Sequence, residues 1–301
     1  MEFWHSAAFA EVDQLVDIGR ALEDHGFTGI TFSDHLFFPD DLRSVYPDAP
    51  SGKPHWSSDV PWPDPFVASA AVTAATRGLT AATQVYVLPM RNPFAVAKSV
   101  ATLGSLAPGR FVLGCGAGWM KEEFDQMGVD FATRGRRYDE AITVLRTLLR
   151  GGMVEHHGTH FDFDRLEMSP APSVPVPIYV GGHSRVAIDR AARLADGWMG
   201  GTYDEATILA TLQRLEQLRA EHGRADEPFG TVAAMFPTPD ADTCLRLRDA
   251  GLSVLVVAPW LAGQSAGEDA VDSGHAYDSF GAKRSAMERF AEEVIAKVEA
   301  Q

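Results

Sequence analysis

Cysteine is almost absent. The 301 residues contain two, Cys115 and Cys244, far apart and in no Cys-x-x-Cys arrangement. Neither a disulfide framework nor a zinc ribbon fits that usage. Cations are in deficit as well: 26 Lys and Arg stand against 41 Asp and Glu, a formal charge of −15. A general nucleic-acid binder needs cations to replace phosphate counterions, so that class is excluded, although a local basic pocket is not. No apolar run approaches the roughly 20 residues that span a bilayer, so no membrane segment is expected. Met1, Glu2, Phe3, Trp4 and His5 lack a basic region followed by an apolar stretch. No secretory signal is expected there, and the cytoplasm is the expected compartment. There is no internal repeat of solenoid period and no low-complexity tract. What is present is ordinary globular composition, 46% hydrophobic and 22% charged, too apolar for disorder. The length suits one large α/β domain or two small ones.

Short β-rich runs alternate with longer helical ones. Glu2 to Ser6 reads as the first strand. A helix follows with Val12, Leu15, Val16, Gly19 and Leu22 on one stripe, closed by Gly26 past its C-cap. Thr28 to Ser33 is the second strand, ending at Asp34 and His35. Leu36 to Asp64 carries no periodic signal, and a connection of that length is usually functional. Asp64-Pro65 and Asn92-Pro93 each read as N-cap plus N1 proline, opening two helices. Leu79 to Leu88 and Arg110 to Gly114 read as the third and fourth strands. A helix from about Arg134 to Arg150 precedes a small excursion at Val154 to Leu166, read as a hairpin. Pro177 to Val180, Asp196 to Met199, Phe229 to Met235 and Leu252 to Ala258 complete the strands. Helices lie at Arg185 to Leu194, along Ile208, Leu209, Leu212, Leu215 and Leu218, near Asp240 to Ala250, and along Met287, Phe290, Val294 and Val298.

About eight β-then-α units without a composition break favour a parallel sheet closed into a (β/α)8 TIM barrel over residues 1–301. Insertions are expected near 36–64, 151–175 and 259–277, and a doubly wound open sheet is the alternative. In a barrel the residues just after each strand carry function. Here that rim is rich in Gly, hydroxyl, aromatic and His residues and poor in carboxylates, which suits a flat heteroaromatic ligand with a phosphate. Gly114-Cys-Gly-Ala-Gly118 is a tight turn or a ligand-approach loop and departs from the Gly-x-Gly-x-x-Gly fingerprint. Gly181, Gly182, His183 and Ser184 join a strand to a helix, where free N–H groups hold anions or Ser184 simply caps the helix. Gly200, Gly201 and Thr202 form a second such turn. Asp34 and His35 are an acid/base pair or a buried polar pair. His156, His157 and His160 fit an exposed hairpin better than a metal tract, since zinc takes three or four ligands. Cys115 reads as a core residue. Arg134, Arg136 and Arg137 oppose the helix dipole at their end, and pair with Asp139 or Glu140 or meet a partner subunit.

The rim resembles the luciferase-like oxidoreductases, which include flavin monooxygenases and enzymes of the deazaflavin coenzyme F420. The resemblance rests on Gly26-Phe-Thr-Gly-Ile-Thr-Phe-Ser-Asp-His35, Thr83-Gln-Val-Tyr-Val-Leu-Pro-Met-Arg-Asn-Pro93, Gly109-Arg-Phe-Val-Leu-Gly-Cys-Gly-Ala-Gly-Trp119, Pro177-Ile-Tyr-Val-Gly-Gly182 and Ala195-Asp-Gly-Trp198. It implies a TIM barrel with a flavin-type cofactor at the strand carboxyl ends. It implies a bulge at Thr83, Gln84 and Val85, often with a non-proline cis peptide, behind the cofactor ring. Gly116 and Gly118 would let the neighbouring loop approach that ring. Gly181, Gly182, His183, Gly201 and Thr202 would hold the ribityl chain and phosphate, with Asp34 also at the cofactor. His35, beside Asp34, matches the histidine that F420-dependent sugar-phosphate dehydrogenases use near the reacting carbon. Those enzymes have a carboxylate where this chain has Trp119, which makes a sugar phosphate doubtful. Leu36 to Pro63 would roof the substrate, and Trp56 and Trp62 there suggest an apolar or aromatic one. The expected reaction is hydride transfer between F420 and a small organic substrate in a homodimeric enzyme without a metal. The alternatives are an FMN-dependent, oxygen-using monooxygenase, a metal-dependent barrel hydrolase using Asp34, His35 and the His156–His160 group, and a non-catalytic flavin-binding protein.

Overall fold

The computed structural model describes residues 1–235, 238–261 and 279–301. Most of the insertion expected at 259–277 therefore lies outside the described residues. The strands are β1 (Glu2–Ser6), β2 (Gly29–Phe32), β3 (Thr80–Thr83), β4 (Tyr86–Val87), β5 (Phe111–Gly116), β6 (Met153–His157), β7 (Asp162–Glu167), β8 (Ile178–Gly181), β9 (Gly197–Tyr203), β10 (Gly230–Met235) and β11 (Val254–Val257). The helices are α1 (Leu15–Asp24), α2 (Pro65–Ala75), α3 (Pro93–Leu106), α4 (Lys121–Gln126), α5 (Arg134–Leu149), α6 (Arg185–Leu194), α7 (Glu205–Glu221), α8 (Ala241–Asp249), α9 (Phe280–Phe290) and α10 (Ala296–Glu299).

Local chemistry accounts for many of the boundaries. Asp64 Oδ1 accepts from the Phe66 and Val67 N–H groups, both at 2.9 Å. Asn92 does the same for Phe94 and Ala95 at the start of α3. Gly26 stops α1 with φ +82°, a conformation that costs glycine little. The buried stripe of α1 is Leu15, Ile18, Gly19, Ala21 and Leu22. Val12 falls instead in a preceding 3-10 turn and is 53% exposed. In α7, Thr211 joins the buried stripe and Leu209 is only half-buried. That hydroxyl is satisfied by donating to Thr207 O. α4 is an element the sequence pattern did not announce, because six residues are too few to show a helical period.

The sheet runs β3-β2-β1-β11-β10-β9-β8-β5, and β5 pairs back with β3. All these pairings are parallel, so eight strands close into a barrel. The run expected as one strand at Leu79 to Leu88 is split. β3 ends at Thr83, the Gln84–Val85 peptide is cis, and β4 resumes beside β5 at Tyr86 and Val87. Side chains alternate in and out along each strand. Trp4, Ala82, Val112, Met199, Val232, Val254 and Val256 pack together inside. Phe3, Leu255 and Ala233, their out-facing neighbours, join the larger core beneath the helices. The excursion at 151–175 contains the β6–β7 hairpin, antiparallel as expected. Between Leu36 and Asp64 there is neither helix nor strand.

Candidate active site

Because every barrel strand points the same way, the residues after β1, β2, β3, β5, β8 and β9 meet at one end. His35 follows β2. Its Nδ1 lies 3.4 Å from Glu123 Oε1, and the Leu36 N–H donates to that same oxygen at 2.6 Å. Glu123 is 1% exposed and sits in the first turn of α4, where negative charge is favoured. An acceptor at that place favours the hydrogen on Nδ1, the tautomer that leaves Nε2 for chemistry.

Asp34 is placed differently from the expectation of an acid/base pair with His35. Val87 N–H donates to its Oδ2 at 2.9 Å, and the Arg91 guanidinium reaches both oxygens at 2.7 and 2.8 Å. Burial raises its pKa, against the pull of Arg91 and the Val87 N–H. With both oxygens occupied, Asp34 ties the end of β2 to β4. The carboxylate beside the histidine is thus Glu123, which the sequence reading passed over. That acid stands four residues after Trp119, in the first turn of α4. The adjacent Glu122 and Glu123 were the available signal.

Around His35 the connection Leu36–Asp64 folds into a set of rings. His35 lies 5.0 Å from Trp62, 5.7 Å from Trp56 and 5.7 Å from Trp119, centre to centre. Tyr46 packs on Trp56 at 4.9 Å and on Trp119 at 5.1 Å, and Phe9 reaches Trp62 at 5.9 Å. Glu122 pins this roof by accepting from the Arg43 and Ser44 N–H groups and the Ser44 hydroxyl. Burial alone would raise the Glu122 pKa, but Ser44 and the amides outweigh it and hold it low. The indole nitrogens of Trp56 and Trp62 are buried with no hydrogen-bond partner among the described residues. Each such donor costs about 1–3 kcal/mol until something accepts from it.

Val85 explains two of the rim glycines. A Cβ on Gly116 would stand 2.6 Å from Val85 Cγ2, and one on Gly181 would stand 2.5 Å from Val85 Cγ1. The valine is seated between β5 and β8 by their lack of side chains. Gly118, at φ +80°, has Val87 and Phe124 where a Cβ would go. These contacts account for Gly116, Gly118 and Gly181 by packing within the chain. Gly116→Ala is expected to destabilise the fold by about 1–3 kcal/mol through overpacking, and Val85→Ala in the same chain to recover most of it. Urea denaturation of the two single variants and the double variant measures this; additive losses would show that the two positions do not touch. Gln84 crosses the mouth and donates from Nε2 to Gly200 O at 3.0 Å.

At the other side of the mouth, Gly182 has φ +118° and its carbonyl accepts from Trp198 Nε1 at 2.9 Å. Ser184 caps α6 by accepting from the Ala187 N–H. His183 Nδ1 is 3.4 Å from Asp48 in the roof, and both are half-exposed. Tyr203, 6.2 Å from the His183 ring, has a buried hydroxyl that donates to no group among the described residues. Burial pushes that hydroxyl up to about 12, against the pull of the Gly201 backbone amide. A Cβ on Gly201 would meet nothing nearer than this hydroxyl, at 3.6 Å. The turn therefore combines open space, an orphaned O–H and the first amides of a ten-residue helix.

The remaining candidates are used within the chain. His156 and the His160 and Phe161 N–H groups meet Glu140, and His157 meets Asp162. Among the described residues no group of three His, Cys, Asp or Glu is placed to hold a metal ion. Arg134 lies over Phe131, and Arg137 lies over Phe161 while donating to Pro89 O. Asp139 pairs with Arg190 and Arg193 rather than with these arginines. Cys115 is fully buried, which raises its thiol pKa.

The profile of the luciferase-like monooxygenases matches residues 3–297. The chain belongs to that family. This luciferase-like protein is 35% identical over 301 residues to an uncharacterized protein of Mycobacterium tuberculosis, covering 99% of this chain and 100% of that one. It is 31% identical over 245 residues to an F420-dependent glucose-6-phosphate dehydrogenase of Nakamurella multipartita, covering 78% of this chain and 66% of that protein. Among solved structures, an F420-dependent secondary alcohol dehydrogenase with an F420–acetone adduct superposes with a TM-score of 0.73 at 18% identity. The match covers 99% of this chain and 98% of the other. The FMN-bound oxygenating part of a diketocamphane monooxygenase from Pseudomonas putida gives 0.70 at 13% identity, covering 99% and 98%. At those identities the likeness is one of fold, the luciferase-like TIM barrel. No helix among the described residues is long and apolar enough to cross a membrane.

Proposed function

We propose that this protein transfers a hydride between coenzyme F420 and a small apolar or aromatic organic substrate, with His35 handling the proton. The observation that carries the reading is the Glu123-held imidazole set among Trp56, Trp62 and Trp119 at the barrel mouth. An oriented histidine shielded from water is what a hydride-plus-proton reaction asks of its protein. The chain also fits the cofactor. Val85 and Gln84 would back its ring, with Asp34 and Arg91 bracing them. Gly182, His183, Ser184, Gly201, Thr202 and the orphaned Tyr203 hydroxyl would take its phosphate-bearing tail. When bound, the deazaflavin supplies or accepts the hydride. The choice of F420 is supported by the Nakamurella relative; FMN is supported by the monooxygenases of the same fold. A sugar phosphate is disfavoured, because the side chains found against His35 are Trp56, Trp62, Trp119 and the acidic Glu123.

Equilibrating the protein separately with F420, FMN and FAD, and following tryptophan fluorescence, tests the proposal. Saturable quenching by F420 alone is expected, and binding of FMN alone would replace the reading with an oxygen-using monooxygenase. Gly201→Asp puts a carboxylate at the anion turn without backbone strain or collision. It should weaken cofactor binding about tenfold or more by like-charge repulsion, with the melting temperature unchanged. Calorimetric titration of that variant reads the effect, and an undiminished affinity would move the phosphate elsewhere.

A further inference from the structure

We propose that the indole N–H groups of Trp56 and Trp62 form an oxygen-binding subsite, and that the substrate is a neutral planar ring compound carrying a carbonyl-type acceptor. The ring character follows from the surroundings. Phe9, Tyr46 and Trp119 pack around the two indoles, and rings of this kind are best met by another ring. The acceptor follows from two donors without a partner among the described residues, which are neighbours at 5.3 Å between ring centres and both pack on His35. Trp56 is 6% exposed, so bulk water is a poor substitute there. A purely hydrocarbon substrate would leave both donors unmade, and a polyol would lose more hydrogen bonds to water than two indoles return.

Neutrality follows from the charges that face the cluster. Glu123 lies under His35, and Asp48 lies on the side of Tyr46 and His55, where its charge acts on both. The nearby cation, Arg91, is committed to both oxygens of Asp34. An anionic substrate would therefore meet negative charge from two directions. Both tryptophans belong to the Leu36–Asp64 connection, so this insertion supplies the recognition while the barrel supplies His35. The subsite rests on the proposed role of His35 only in that the bound oxygen comes to lie beside that imidazole; its binding chemistry stands on the roof residues alone.

The test compares 1-tetralone, tetralin and 2-naphthoate on the full chain labelled with 15N-tryptophan, with and without F420. Tetralone should saturate and move two indole N–H resonances, assigned by Trp56→Phe and Trp62→Phe. Tetralin should bind about tenfold more weakly and move neither, the worth of the missing acceptor. Naphthoate should bind more weakly than tetralone. Each Phe variant should lower the affinity for tetralone several-fold more than that for tetralin. Equal affinity for tetralone and tetralin, a preference for naphthoate, shifts confined to other indoles, or no tetralone binding up to its solubility would each overturn the subsite. F420 binding is read separately from its own absorbance. Tetralone binding without F420 binding would thus sink the cofactor proposal and spare this one, and the converse would sink this one alone.

Discussion

His35→Ala should lower turnover by about 10²–10⁴-fold, the usual worth of a positioned acid/base, while cofactor affinity is expected to stay close to wild type. The imidazole meets three tryptophans and Glu123, and the glycine turns proposed for the cofactor tail are not among these contacts. Glu123→Gln separates charge from packing. The amide oxygen still accepts from the Leu36 N–H and stays beside His35 Nδ1, but the negative charge that would stabilise a protonated imidazole is gone. A fall in kcat with KM and melting temperature preserved is therefore expected. Glu123→Leu adds a stability loss of about 1–3 kcal/mol, because the Leu36 N–H and His35 Nδ1 are then buried without an acceptor. Steady-state kinetics alongside fluorescence titration of the cofactor measures both effects. Wild-type turnover in His35→Ala would remove this residue as the proton carrier, and unchanged kcat in Glu123→Gln would remove the electrostatic role of Glu123.

Acid should weaken the fold through a second histidine, one that takes no part in the site. His5 is fully buried in β1, stacked on Trp260 at 3.8 Å, with no well-formed hydrogen bond at either ring nitrogen among the described residues. Burial lowers its pKa to about 3 from 6.5, a contact with the Ser6 backbone offsetting only part of the fall. Lys283, held by Glu11 and Gln14, adds a smaller push the same way. The unfolded chain takes up a proton near pH 6.5 that the folded chain refuses until about pH 3. Stability due to this group is therefore complete above pH 6.5 and declines through that window, by up to about tenfold in the folding constant per pH unit. His5→Phe keeps an aromatic ring between Phe27 and Trp260 and removes the proton site. Its urea midpoint should fall less between pH 6.5 and 4 than that of the wild type. Parallel slopes in the two proteins would mean that the acid limb belongs to the carboxylates.

Much of the barrel was legible one element at a time. Asp64-Pro65 and Asn92-Pro93 start helices because their side-chain oxygens satisfy amides two and three residues away. Gly26 stops one because its backbone takes a positive φ. The order of strands and helices implied a parallel sheet, and eight units implied closure. The strand read through Leu79 to Leu88 was too long, since nothing in its apolar run marks the interruption at Gln84 and Val85. α4 was missed because six residues do not make a period.

The site divides along the same line. Sequence alone delivered His35, the rim turns and the two roof tryptophans, because being next to a strand end is a local property. The partner of His35 was beyond its reach. Asp34 is adjacent in the chain but turns to Arg91, while Glu123, 88 residues away, supplies the carboxylate. Gly116 and Gly181 likewise have a reason in the fold that sequence cannot show, Val85 seated between them. Caps, stops and periods are fixed by neighbours within a few residues, so composition and spacing determine them. Which oxygen faces which nitrogen, and which donors are left over for a ligand, depends on strands closing into a ring, and only the folded chain decides that.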